Sequence, residues 1–254
     1  LPQGTSTPLH RAHAGRTPLH RGDVLQQASL ASGRPSCRTL DRMNVQHVER
    51  LTVVCADVGS VASGNFGWWS SAGASGSAPS ALSSHVASIL NSRAPVALGF
   101  ECPLFVPLVE NEASLTSARP GEGSRPWSAG AGCGALATGL VEVAWVLRAI
   151  RAQLVRPESA FLAWPPFIQS RAGLFLWEAF VSGPQKRSSH VADAQVAVQA
   201  FAQGLPDPST KNAVVCESPV HSLVGAALLR TGWSQNLALL AEPCLVLKAQ
   251  AHAV

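Results

Sequence analysis

The sequence predicts an α/β domain, a mixed sheet with helices on both faces, preceded by a disordered N-terminal tail. Three observations carry this. Continuous apolar, largely β-branched or aromatic runs at 51–56, 95–100 and 173–177 read as strands buried on both faces. Segments with apolar residues at helical spacing alternate with those runs, the pattern of a sheet covered by helices. The composition also changes near residue 43: residues 1–42 are rich in Ser, Thr, Pro, Gly, His and Arg and have no sustained period.

The tail comes first. Thr7-Pro8-Leu9-His10-Arg11 recurs as Thr17-Pro18-Leu19-His20-Arg21, two short copies that do not make a solenoid. The tail holds six Arg against two Asp, so the whole net charge of +4 resides there, and residues 43–254 balance at 13 basic and 13 acidic. The expected domain therefore lacks the basic excess of a protein that binds nucleic acid mainly through phosphates. Met43 is the only methionine, and the expectation is that native protein begins there, with 1–42 dispensable.

Within 43–254, Leu51–Ala56 is the first buried strand, ending in the turn Asp57-Val58-Gly59-Ser60. Asn65–Ser71 follows as the second strand of a hairpin, then a Gly/Ser/Ala/Pro loop at 72–80 and a short helix at Ser84–Ser92. Pro95–Phe100 is a second buried strand and runs into Glu101-Cys102-Pro103-Leu104. Residues 110–132 form a long polar loop of the kind that serves as a lid or binding segment. Ala135–Leu154 is a strong helix, with Arg148 and Arg151 near its C-terminal end, where the helix dipole favours cations. Gly173–Trp177 is a third strand, ending in Glu178; His190–Gln203 is an amphipathic helix with Asp193 in its first turn. Asn212–Cys216 is short and apolar and precedes Glu217. Ser218–Thr231 reads as a helix stopped by Gly232, and Leu245–Leu247 as a last small strand.

Several classes are disfavoured. An apolar fraction of 46% excludes a disordered chain. The longest membrane-like stretch, Gly134–Ile150, contains Glu142 and is short for a span. No charged-then-apolar leader opens the sequence, and none of the six cysteines forms a C-x-x-C pair. The expected setting is therefore the reduced cytoplasm, with no membrane partner and no zinc site.

The informative acids stand at strand ends. Asp57, Glu101 and Glu178 each terminate an apolar run, and Glu217 is a candidate fourth. Polar residues end strands as a matter of course, so one such acid means little. Several together raise one another's pKa unless a cation compensates, and Mg²⁺ or Mn²⁺ suits an all-oxygen cluster. Metal-assisted phosphodiester hydrolysis is the chemistry such a site performs. The expected metal ligands are Asp57 and Glu101, with Glu178 or Glu217 completing the shell and His221 nearby for proton transfer or phosphate orientation. Ser60 and Trp127 are the candidate substrate contacts, Trp127 because an indole in a polar loop can stack on a base.

Leu51–Trp69, with its strand, Asp57-Val58-Gly59 and Gly67-Trp68, resembles the opening hairpin of RNase H-like proteins, and more closely a family of predicted RNase H-like nucleases. That family continues with a strand ending in Asp-x-Pro-Leu, matched by Glu101-Cys102-Pro103-Leu104 with Glu in place of Asp. It then has a strand ending in Glu, matched at Leu176-Trp177-Glu178. Near its end lies a helix of the form Asp-Ala-Leu-x-Ala-x-x-x-Ala, which the resemblance aligns with 221–227. Its aspartate then falls on His221, with Glu217 one turn earlier. The closing strand matches Ala241–Leu247. The resemblance spans about 50–248 and implies a divalent-cation-dependent nuclease with nucleic acid as partner. Asp57-Val58-Gly59-Ser60 also resembles the first phosphate loop of actin-like ATPases and sugar kinases, which need a second such core. The third expectation, which the Asp-to-His departure and the zero charge balance suit, is an inactive scaffold of the same fold.

Overall fold

A computed structural model describes residues 48–123, 126–181 and 183–249; the tail 1–42 lies outside the described residues. In chain order the elements are β1 (Thr52–Asp57), β2 (Gly67–Ser70), β3 (Ser75–Gly76), α1 (Pro79–Asn91), β4 (Val96–Phe100), β5 (Phe105–Pro107) and α2 (Gly130–Gln153). There follow β6 (Ala160–Phe161), α3 (Trp164–Ser170), β7 (Leu174–Phe180), α4 (His190–Ala202), β8 (Val220–Ser222), α5 (Leu223–Arg230) and β9 (Leu245–Lys248).

Seven strands form a mixed sheet in the order β3-β2-β1-β4-β7-β6. β1–β2 and β2–β3 are antiparallel; β1–β4, β4–β7, β7–β6 and β7–β9 are parallel. The free edge of β7 is shared: β6 pairs with Leu174 and Phe175, and β9 with Trp177–Phe180. β1 lies inside the sheet between its hairpin partner and β4, as the sequence predicts. β5 and β8 make a separate antiparallel pair.

Side chains alternate faces along a strand, and here both faces are buried. Val54, Ala56, Leu98, Phe100, Leu174, Leu176 and Val246 join one core, with buried residues of α1, α2 and α5. Val53, Cys55, Ala97, Phe175, Trp177, Leu245 and Leu247 join the other, with α3 and α4. This two-sided burial explains why the strands read as unbroken apolar runs rather than alternating ones. Gly99 faces Trp177 across the β4–β7 ladder, and a Cβ at Gly99 would lie 2.4 Å from the indole ring. The missing side chain at 99 is what admits the largest buried side chain of the sheet.

Two local expectations change, and two segments without an expected element take on definite structure. The long helix begins at Gly130, so the lid-like loop ends earlier than 132. Asn212–Cys216 adds no strand, although the Ala213 amide bonds the Val246 carbonyl at 2.8 Å. Residues 218–222 are not helical: Val220–Ser222 pairs with β5, and the helix starts only at Leu223, where the Ser222 hydroxyl caps the Gly225 amide. The Pro-rich segment at 164–170 supplies α3, with Pro in its first turn where the missing N–H costs nothing.

Helix α2 is long and apolar enough to cross a membrane by length and composition, and among the described residues it is the one such helix. In this fold Val143, Val146, Leu147 and Ile150 bury against the core, while Leu140, Val141 and Trp145 are exposed.

Replacing Gly99 with Ala forces the Trp177 indole aside in a close-packed interior. Gly99→Ala should cost about 1–3 kcal/mol, read as a lower urea midpoint with an unchanged slope.

Candidate metal centre

The parallel register places Ala56 beside Phe100, and the Glu101 amide continues the ladder to the Ala56 carbonyl at 2.8 Å. Asp57 and Glu101 are therefore neighbours at the carboxyl ends of β1 and β4. Alternation sends both toward the face of Cys55 and Ala97, which α4 covers. On the other strand of the hairpin, Asp57 pairs with Gly67. A Cβ on Gly67 would lie 2.4 Å from the Val191 amide nitrogen, so glycine lets the first turn of α4 sit directly on this end of the sheet. That turn brings His190 and Asp193.

A carboxylate oxygen from each of Asp57, Glu101 and Asp193 lies within 4.8 Å of the others. Asp57 and Asp193 are buried at 4% and 3% exposure. The Lys186 ammonium touches all three, at 2.7 Å from Glu101, 3.0 Å from Asp193 and 3.5 Å from Asp57. His190 Nδ1 lies 2.5 Å from Asp57 Oδ2, and the Arg187 amide donates to Asp193 Oδ1 at 2.5 Å. Glu101 Oε2 is buried with no hydrogen-bond partner.

The electrostatics follow from burial. Desolvation raises the pKa of Asp57, against the pull of Lys186 and His190. Desolvation and then the Asp57 charge push Glu101 well above the usual carboxylate range. Burial alone would lower the Lys186 pKa, but Glu101 and Asp57 more than reverse it, so the ammonium stays charged. The Cys102 thiol beside the cluster is driven up by burial and remains protonated, which disfavours a thiolate nucleophile there.

The cluster opens into a cavity of about 360 Å³. Its walls include Val58 and Gly59 from the first turn, Ala131–Gly132 and Gly134–Ala135 from the start of α2, and Trp127. Trp127 is positioned by its indole N–H, which donates to the Ser117 carbonyl at 3.0 Å. Trp127 thus lines the same cavity as Asp57 and Glu101. Ser60 is exposed, bonds Ser63 and is not among the lining residues.

Three expected members lie elsewhere. Glu178 has the opposite alternation from Asp57: it sits beside Phe100 in the register and takes that face. There it meets Arg119 at 2.5 and 2.9 Å and the Leu104 amide at 2.9 Å. Arg119 also holds Glu122 at 2.8 Å and the Phe105 carbonyl at 3.0 Å, and stacks over the Phe105 ring. Both side chains of the Arg119–Glu178 pair are essentially inaccessible. Burial raises the Glu178 pKa and Arg119 opposes it. Glu178 is a wall of the cavity and an anchor for the 108–123 segment, not a member of the triad. Glu217 and His221 are exposed, Glu217 in the loop before β8 and His221 on β8 beside Val106. They miss the cavity because 218–222 forms a strand rather than the first turns of a helix.

The third acid is Asp193, in the first turn of α4. Its readable signal was a carboxylate in the first turn of an otherwise apolar helix. Lys186 and His190 had no comparable signal, because a lysine in a polar loop and a histidine at a helix start are ordinary. Glu142 of α2 also approaches, accepting from the Gly59 amide at 3.3 Å, its pKa raised by partial burial.

The fold and site define an α/β domain with a buried carboxylate triad at the carboxyl ends of adjacent parallel strands, the usual ligand position of open α/β sheets. No family model, curated protein or solved structure matches the chain. The described residues hold one such sheet and one Asp-x-Gly turn, Asp57–Gly59.

Two outcomes test these electrostatics. Because the folded-state pKa of Glu101 lies above its ordinary value near 4.5, the folded state binds the extra proton. The stabilisation by the protonated form is complete below the unfolded pKa and lost as pH rises through the folded one. In metal-free protein, Glu101→Gln should therefore raise the melting temperature at pH 7–8, by about 2–4 °C per kcal/mol relieved, with the gain vanishing toward pH 4. Arg119→Met strands Glu178 and Glu122 without a partner. It should cost about 3–5 kcal/mol, measured as the fall in unfolding free energy.

Proposed function

We propose that this protein is a metal-dependent phosphodiester hydrolase of the RNase H-like kind, acting on nucleic acid. The observation that carries the reading is the triad itself: three carboxylates from β1, the end of β4 and α4 within 4.8 Å of one another, two of them (Asp57 and Glu101) lining a cavity, and one with a buried oxygen that nothing in the protein satisfies.

The donor set fits a hard divalent cation. Oxygens on opposite sides of one ion bonded at 2.0–2.6 Å stand about 4–5 Å apart, and the three carboxylates meet that limit. Two of them come from rigid strand ends. Mg²⁺ or Mn²⁺ held by Asp57, Glu101 and Asp193 would supply Lewis-acid stabilisation of charge developing on a phosphoryl oxygen. The remaining chemistry belongs to the chain. His190, bonded to Asp57 through Nδ1–H, presents Nε2 as the nitrogen able to accept a proton, and its ring lines the cavity. It takes the proton-transfer role that the sequence suggested for His221. Trp127 offers an aromatic face for a base. The buried floor of Glu178, Glu122 and Val181 holds the cavity's shape and limits water around the reacting group.

One observation favours the second reading, an inactive scaffold: Lys186 already gives the triad a positive partner. Metal titration separates the two. For the hydrolase, Mg²⁺ or Mn²⁺ raises the melting temperature of the full chain, by about 2.7 kcal/mol of stability at a hundredfold excess over Kd. Asp57→Asn, which keeps the shape and removes the charge, abolishes that gain together with cleavage of labelled single-stranded and duplex DNA and RNA. A melting temperature indifferent to both ions supports the scaffold.

A further inference from the structure

We propose that Lys186 is a displaceable internal cation: its ammonium occupies the place of the divalent ion when none is bound, and it sets the site's metal affinity by competing for the same three carboxylates. This inference rests on the metal-binding reading above and concerns a residue that reading does not use.

The geometry is specific to the triad. A surface lysine pairs with one acid, loosely and at little net gain. The Lys186 Nζ contacts Asp57 at the end of β1, Glu101 at the end of β4 and Asp193 in α4, all within 3.5 Å. Three donors fit three carboxylates that otherwise repel one another across a buried space. The ammonium takes one oxygen from each acid, Asp57 Oδ2, Glu101 Oε1 and Asp193 Oδ2, and so sits among the same three carboxylates that a metal would draw its oxygens from. An ion bonded to them at 2.0–2.6 Å would lie against Nζ, so the two cations exclude each other.

The exit is open. The Lys186 side chain is 34% exposed while the acids it touches are 5–11% exposed, and it lines the same cavity. Its four-carbon stem lets the ammonium leave by rotation about its own side-chain bonds. The neighbouring backbone keeps separate anchors: the Lys186 amide bonds the Gly183 carbonyl at 3.1 Å, and the Arg187 amide holds Asp193 Oδ1. Asp193 therefore keeps one oxygen fixed while the other changes partner from ammonium to metal. In the resting state the lysine bridges the three buried acids and holds them together. Lys186 is a positioning residue that acts through the carboxylates.

The test compares the full chain with Lys186→Met, which preserves length and apolar packing, and with Lys186→Gln and Lys186→Arg. Mn²⁺ binding is measured by electron paramagnetic resonance of free Mn²⁺ and by calorimetry, beside melting temperatures with and without the ion. Lys186→Met should melt lower than wild type without metal, bind Mn²⁺ about tenfold tighter or more, and regain the lost stability at saturating Mn²⁺. Lys186→Arg, which keeps the charge, should not gain affinity. If Lys186→Met proves too unstable to isolate, Lys186→Gln is read by the same criteria. Equal Mn²⁺ affinity in wild type and the neutral variants overturns the competition while leaving the metal site standing. No Mn²⁺ binding by any of the four proteins removes the metal reading, and this inference with it.

Discussion

The parallel pairing of β1 with β4 governs the site. It sets Asp57 and Glu101 side by side at the same level of the sheet, and pleating turns both to the side that α4 covers. A one-residue slip would send one of them into the opposite core. Such a slip is opposed along the whole ladder, because Val53, Cys55 and Ala97 belong to one buried face and Val54, Ala56, Leu98 and Phe100 to the other. The hydrophobic cores thus determine where the charges stand. They also make the charges costly, since two carboxylates at the end of a doubly covered sheet lose most of their hydration.

The surroundings of the triad answer that cost. Asp193 adds a third negative charge, which would be destabilising alone, yet it enters on a helix whose first turn also brings His190 onto Asp57. Gly67 is the condition for that approach, because any side chain there would strike the α4 backbone. Lys186 then adds a positive charge that touches all three acids. Acids are brought together by packing and countered by a single flexible cation, so the site is less stable than an apolar or fully paired alternative. Such local conflict between stability and charge placement is typical of functional sites.

Much of the architecture is legible in the sequence because doubly buried strands cannot hide: Leu51–Ala56, Pro95–Phe100 and Gly173–Trp177 are too apolar and too short to be anything else. Asp57 and Glu101 are legible for the same reason, as the first charges after such runs. The short pairings at 75–76, 105–107 and 160–161 are not, since two or three residues carry no period. The error at 218–222 is instructive. Val220 and His221 fit a helix by composition, but a Pro at 219 and the neighbouring edge at Phe105–Pro107 favour pairing, and the helix waits for the Ser222 cap. A helix at 218–222 would present Glu217 and His221, whereas the acid that joins the triad is Asp193 in α4. Lys186 was invisible because its role arises from three partners between 7 and 129 residues away in the chain.

Glu178 shows what distinguishes a ligand from a strand-ending acid. It has the same sequence context as Asp57, an apolar run followed by a carboxylate, and it too reaches the cavity. Its alternation is opposite, matching Leu174 and Leu176 rather than Phe175 and Trp177. On that face it finds Arg119, whose guanidinium forks onto both of its oxygens while also binding Glu122 and a carbonyl. A carboxylate with both oxygens bonded to a buried arginine, and one also to the Leu104 amide, is poorly placed to bind a hard cation. A rigid bidentate pair is also far harder to displace than a single ammonium on a flexible stem. Two acids at the same end of one sheet therefore have different fates. Glu178 is locked to an arginine and builds the wall, whereas Asp57 is matched to a lysine that can leave, and only the second arrangement keeps a place open for a metal.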